Sequence, residues 1–179
     1  MSEAGSRAPA RIRPGTPADF AQIVRHWSAI TRHHEPIDPL FRQREDAEPW
    51  IRDLVGQMLR DPDTAVFVAE FEEGEPGCLA GICVVRIDRA PPILEETVRA
   101  EVTDLGVAPE LRRRGIGRSL AEAALAWVRE RGVGRVEVRV AAGNPEGQAF
   151  WRALGFGELF HVLHRRLGPG GQPAGSGGR

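Results

Sequence analysis

The spacing of apolar residues along this chain changes period several times, and each change marks an element. Residues 11–13 read as a short strand, after which Thr16, Pro17 and Asp19 read as a helix start, with a hydroxyl cap and a proline at the first helical position. Phe20, Ile23, Val24, Trp27 and Ile30 then recur at helical spacing. Segment 31–43, TRHHEPIDPLFRQ, is punctuated by Pro36 and Pro39 and reads as a loop or broken helix; a second helix is expected over 47–59. TAVFVAEF (64–71) and CLAGICVVRI (78–87) are β-rich runs joined by EEGEPG (72–77), the pattern of an antiparallel hairpin. VRAEVTDLGV (98–107) reads as a further strand. The helix after it carries Ile116, Leu120, Ala124, Trp127 and Val128 on one face. RVEVRV (135–140) alternates as a strand, NPEGQAFWRALGF (144–156) reads as a helix capped by Asn144 with Pro145 behind it, and FGELFHVLHRRL (156–167) supplies one or two final strands. This order predicts an α/β domain with one mixed central sheet flanked by helices.

The chain's 179 residues suit one domain, expected over 10–167, with the small, Gly/Pro-rich ends 1–9 and 168–179 disordered. Apolar residues make up 41% and charged residues 27%, which is ordinary for a soluble protein, and no apolar run approaches a membrane span. The first residues lack the apolar centre of a secretory leader, so a cytoplasmic location is expected and a membrane partner is not. A net charge of -1 gives no global attraction to nucleic acid, and although every basic residue is arginine, no basic or aromatic stripe extends the one arginine cluster. Cys78 and Cys83, five apart in one strand-like run, would lie roughly 16 Å apart at strand rise, too far to bond each other. His161 and His164 have no companion ligands, so no metal is expected. The chain contains no tyrosine.

Chemistry concentrates in DLGVAPELRRRGIGRSL, where a strand runs through a glycine-bearing turn into an amphipathic helix. Gly115 and Gly117 allow close backbone approach, and the free N–H groups and positive dipole end of a helix start favour an anion. Arg112, Arg113, Arg114 and Arg118 crowd the same place, which suits a phosphate or diphosphate. A Walker loop would need a lysine and a dinucleotide fingerprint a third glycine, where Leu120 stands. The plainer alternative is a surface turn with solvated arginines.

The run Arg112, Gly115, Gly117 after VTDLGV resembles the acyl-CoA-binding segment of the GCN5-related N-acetyltransferase (GNAT) family, and 144–156 resembles that family's next segment, with Asn144 before the helix, Phe150 and Trp151 within it, and Gly155 and Phe156 at its end. The resemblance covers 10–167. It implies the GNAT-like acyl-CoA N-acyltransferase fold and acetyl-CoA as co-substrate. Its diphosphate would be cradled by Arg113, Arg114, Gly115, Ile116, Gly117 and Arg118, beside Arg112 and Ser119. The pantetheine arm would pair with the backbone of Leu105, Gly106 and Val107, Asn144 would meet the cofactor as well as cap its helix, and Gly106 would mark the bulge that opens the sheet.

The resemblance further implies an enzyme, an acetyl-CoA-dependent N-acetyltransferase acting on a primary amine of a small molecule or peptide. Glu101 matches the position of the glutamate base in the family's histone-modifying branch; Asp104, on the same strand, has no such residue-level support. Either could instead pair with arginine or solvate an edge. Many members place a tyrosine where Trp151 stands, to protonate the departing thiolate. An indole N–H can only donate a hydrogen bond, but a thiol pKa of about 8.5 makes the thiolate a tolerable leaving group. Trp151 therefore reads as a wall of the channel or as an aromatic packing helix on sheet, with water or Ser119 supplying the proton. His33, His34 and Glu35 fall in the region where the family builds part of its acceptor site and read as exposed loop residues. A noncatalytic acyl-CoA-binding or sensing module is the alternative, and the acceptor's identity and the choice between monomer and homodimer stay open.

Overall fold

The computed structural model describes residues 10–71, 77–93 and 95–165. The elements are β1 (Arg11–Pro14), α1 (Phe20–His34), α2 (Glu48–Met58), β2 (Thr64–Glu70), β3 (Leu79–Arg89), β4 (Val98–Val107), α3 (Ile116–Glu130), β5 (Val136–Val138) and α4 (Pro145–Ala153). The strands form one sheet in the order β1-β2-β3-β4-β5, antiparallel except for the β4–β5 pair. Of the turn expected over 72–77 only Gly77 is described, and the ends 1–9 and 168–179 lie outside the described residues.

Both faces of the sheet are covered, which is why its central strands read as continuous apolar runs rather than alternating ones. Phe67, Ala69, Cys83, Val85, Ala100 and Val102 pack against Leu120, Ala124 and Val128 of α3 and Trp151 of α4. On the opposite face Val66, Val68, Ile82 and Val84 pack against Ile23 and Val24 of α1 and Ile51 and Val55 of α2. Cys78 is exposed and Cys83 buried, both as free thiols, and burial pushes the Cys83 thiol well above its usual range.

The entry to α1 is fixed by charge. Thr16 donates its backbone N–H and its hydroxyl to Asp19, at 2.8 and 2.9 Å, across a single 3-10 turn, Pro17–Asp19. Arg13 on β1 grips both Asp19 oxygens, at 2.8 and 2.9 Å, and donates its Nε to Glu70 on β2 at 2.8 Å. The Arg13 guanidinium holds the buried Asp19 carboxyl well below the usual carboxylate range.

The structure corrects three expectations. First, α1 does not stop at Ile30 but runs to His34, and Thr31, Arg32, His33 and His34 are helical. Pro36, which lacks an N–H, bars further helix. Second, the bulge in β4 is not at Gly106. Val84 pairs with Asp104 and Val85 with Val102, so the unpaired extra residue is Thr103. Gly106 serves the approach of α1 instead: a Cβ there would stand 2.3 Å from Cγ1 of Ile30. Third, 156–165 form no strand, and Leu159, Phe160, Val162 and Leu163 are exposed. A strand needs a neighbouring edge for its backbone groups and a surface for its apolar face. Gly155, at φ 89°, turns the chain out of α4; Phe156 folds back onto Trp151, and Glu158 pairs with Arg152 at 2.8 Å.

Candidate active site

The site grows from the free half of β4. This strand pairs with β5 only over Ala100, Glu101 and Val102, matched to Val136, Glu137 and Val138. Among the described residues no strand accompanies Thr103 to Val107 on that side, so the backbone of Leu105, Gly106 and Val107 borders an opening between diverging strands. The Leu105 and Val107 side chains anchor this edge by packing toward α3 and α4.

At the end of β4 a 3-10 turn, Pro109–Leu111, leads into 112–115. Arg113 (φ 64°) and Gly115 (φ 81°) are both left-handed, and their alternation with ordinary residues makes the kind of turn whose N–H groups converge on an anion. Gly115 is the N-cap of α3, which leaves the first-turn N–H groups of Ile116, Gly117 and Arg118 without an intrahelical acceptor. Arg112, Arg113, Arg114 and Arg118 are exposed around them. Arg112 donates its Nε to the Val107 carbonyl at 3.2 Å and so ties the turn to the strand. Ser119 points its hydroxyl back to the Gly115 carbonyl, at 3.4 Å. A Cβ on Gly117 would meet Phe150 at 3.6 Å and Leu105 and Val107 at 3.7 Å, which places β4, the start of α3 and α4 around one point.

Asn144 caps α4: its Oδ1 accepts the Gly147 N–H at 2.9 Å, with Pro145 following, as the sequence led us to expect. The side-chain NH2 is left to donate elsewhere. Trp151 is buried, stacked edge-on between Phe150 and Phe156 at ring separations of 5.0 and 5.1 Å, and belongs to the core under α4.

Glu101 and Asp104 share the face of β4 that looks toward α1, because the extra residue Thr103 shifts the alternation between them. Their surroundings differ. Glu101 is buried with both oxygens committed, Oε2 to Arg86 at 3.1 Å and Oε1 to Arg139 at 3.2 Å, and Arg99 lies 4.0 Å away. Arg86 and Arg99 also meet Asp88, and Arg99 meets Glu137, in one charged network over β3, β4 and β5. Asp104 stands outside this network. Burial raises its pKa, offset only in part by Thr103 and Trp27 and by the charges of His34 and Arg86. The Trp27 N–H is buried and turned toward this carboxylate without closing a hydrogen bond of ordinary geometry.

The last turn of α1 completes the mouth, and it is what the sequence reading missed. His34 donates Nδ1–H to the Ile30 carbonyl at 2.8 Å, because a carbonyl can only accept. Its ring lies 5.3 Å from Phe41. Burial and then Arg112 and His34 depress the pKa of His33, opposed by Glu146, so α1, the arginine turn and the start of α4 lie within electrostatic reach of one another. Ile37 closes the contact, since a Cβ on Gly143 would sit 2.8 Å from it. The signal was legible: Phe20, Ile23, Trp27, Ile30 and His34 continue one helical stripe.

Among the described residues no group of three His, Cys, Asp or Glu side chains is placed to hold a metal, and no helix is long and apolar enough to cross a membrane.

Residues 23–156 match the family model described as the acetyltransferase (GNAT) family. The chain is 30% identical over 150 residues to a mycothiol acetyltransferase of Rhodococcus erythropolis, covering 82% of this chain and 45% of that one. It is 29% identical over 159 residues to an aminoglycoside N(6')-acetyltransferase type 1 of Stenotrophomonas maltophilia, covering 87% and 92%. The chain spans less than half the length of the mycothiol acetyltransferases it matches. Among solved structures it resembles the BH1408 protein from Bacillus halodurans, as a tetramutant (TM-score 0.74, 20% identity, 88% of this chain and 99% of that one). It also resembles the aminoglycoside N-acetyltransferase AAC(6')-Iy in complex with CoA (TM-score 0.68, 19% identity, 90% and 97%). These structural likenesses speak to the fold.

Proposed function

The chain belongs to the acetyltransferase (GNAT) family, and on that premise we propose that it moves an acetyl group from acetyl-CoA to a primary amine by direct attack, with Asp104 as the base. The observation that carries this reading is the meeting of an anion-binding turn, an unpaired strand edge and one half-buried carboxylate outside the ion-pair network.

The residues present fit acetyl-CoA. The N–H groups of Gly115, Ile116, Gly117 and Arg118, with the exposed arginines at 112–114 and 118, would hold its diphosphate. The backbone of Leu105, Gly106 and Val107 would pair with its amide-bearing arm, and the Asn144 NH2 is free to donate to it. The co-substrate supplies the acyl carbon and a thiol leaving group.

Asp104, ionised, accepts the proton that the amine nitrogen loses as the nitrogen–carbon bond forms and the carbon–sulfur bond breaks, directly or through one water. Burial raises its pKa above the ordinary aspartate range, which strengthens it as a proton acceptor, and neither of the arginines that clamp Glu101 ion-pairs with it. Glu101, clamped by Arg86 and Arg139, holds β3 and β4 and the start of segment 139–143 in register. Trp151, enclosed in the core, supplies an aromatic wall and no proton, and the thiolate takes its proton from water.

Acetyl-CoA binding by calorimetry tests the placement. Gly117→Glu puts a like charge and bulk at the turn and is expected to weaken binding by at least tenfold, whereas Gly117→Ala, whose Cβ has 3.6 Å of clearance, should bind as wild type. Equal affinity in all three proteins would show that the diphosphate lies elsewhere.

A further inference from the structure

On the sheet face that carries Asp104, α1, α2 and the loop between them border a cavity of about 270 Å³, wide open to solvent, whose chemistry limits what can settle in it. Its walls are Trp27, Ala47, Trp50, Ile51 and Leu54, with Thr31, Gln43 and Arg44 as the polar members. Those polar groups are already engaged. Thr31 donates to the Trp27 carbonyl at 3.3 Å, Gln43 donates to the Ser28 carbonyl at 3.3 Å, and Arg44 is held twice by Asp46, at 2.8 Å each. No carboxylate is among the lining residues. Trp50 is 70% exposed, an indole left at the rim with little protein over it. The inner wall is Trp27, the side chain whose buried N–H is turned toward Asp104, so one residue borders both the cavity and the base.

We propose that this cavity seats the body of the acceptor, and that the acceptor class is a monoamine carrying an apolar, preferably aromatic, group, with the amine directed past Trp27 to Asp104. The inference rests on the reading of Asp104 as base. A polycationic aminoglycoside, the substrate class in the names of two of the proteins this chain resembles, would need carboxylates where the cavity offers indoles and a paired arginine. An aromatic ring instead gains buried apolar area and can stack on Trp50, and the single amine, entering neutral, meets its one proton acceptor at Asp104.

The test is a comparison of kcat/KM for ethylamine, phenethylamine and the aminoglycoside neamine, using the full chain with saturating acetyl-CoA and detecting free thiol. Phenethylamine is expected to exceed ethylamine by about tenfold or more, the discrimination an apolar pocket provides, and to exceed neamine. Trp50→Ala should raise KM for phenethylamine by about tenfold with little change for ethylamine or in acetyl-CoA affinity, and Trp50→Phe should recover most of the loss. Trp50 is exposed, so neither variant threatens the fold. Preference for neamine, or equal response of both monoamines to Trp50→Ala, would overturn the assignment while leaving transferase activity intact. Acetyl-CoA binding with no turnover of any amine would overturn both this inference and the catalytic reading beneath it.

Discussion

Burial lifts the Asp104 carboxyl above the ordinary aspartate range, and this works in opposite directions on stability and on chemistry. The folded chain binds that proton more tightly than the unfolded chain does. The group is therefore harmless below the ordinary value near 4, and destabilises progressively as pH rises through the raised one. Asp104→Asn is accordingly expected to raise the melting midpoint at neutral pH while lowering turnover by on the order of 10² or more, and to remove the acid limb of the pH–rate profile. Calorimetry and kinetics on the same preparation check it; an intact acid limb would return the base to Glu101. Glu101 was readable as a candidate from its motif position, but its clamp by Arg86 and Arg139 was not, because those partners come from β3 and from the segment after β5, 15 and 38 positions away. Trp151 invites a separate series. Truncation to Ala should destabilise by about 3–5 kcal/mol, Trp151→Phe far less, and Trp151→Tyr should change the rate by no more than about tenfold, since restoring a hydroxyl helps only where protonation limits. Loss of transfer in Trp151→Phe with fold and acetyl-CoA affinity unchanged would give the indole N–H a chemical role.

The elements were legible wherever local chemistry defined them, and became obscure where a neighbour did. The Asn144 cap, the α3 stripe and the hairpin strands could be read directly. The bulge could not, because an extra residue at Thr103 alters register without altering composition, and Gly106 offered a decoy whose real purpose is contact with Ile30. Likewise α1 outran its expected end because His34, polar by type, continues the stripe and satisfies itself on Ile30. The entry to α1 carries its own prediction. Asp19 has a depressed folded pKa, so its contribution is present above the ordinary aspartate value and fades as pH falls through the folded one. Asp19→Asn is expected to destabilise by about 1.5–3 kcal/mol at pH 7, because it leaves Arg13 with Glu70 alone, and the gap to wild type should narrow in acid melts. A gap that held constant down to pH 2 would mean the clasp contributes through shape and not charge.

At the scale of the molecule, alternating and continuous apolar runs sufficed to place one sheet between two pairs of helices, since few other arrangements bury both faces. The cavity between α1 and α2 was invisible for the opposite reason: its walls come from two separate helices and the loop between them. The unpaired run after α4 shows the limit of β propensity without an edge to join. Replacing Phe160 and Leu163 together by Ser should move the melting midpoint little, within the usual ±0.5 kcal/mol of exposed sites, and should reduce self-association in sedimentation runs at high concentration. A fall of several degrees would show that the segment packs in solution.

The arginine-only composition of the site's mouth carries a different implication. Arg112, Arg113, Arg114 and Arg118 ring the place assigned to an activated acyl donor, and the whole chain has no lysine. A lysine there would be an amine held close to a thioester, with roughly a few molecules in every ten thousand neutral at pH 7 and open to capture. Guanidinium keeps its proton throughout and has no lone pair to offer. The charge that attracts the donor is thus of a kind the donor cannot label, and the rim is built to survive prolonged exposure to its own reagent.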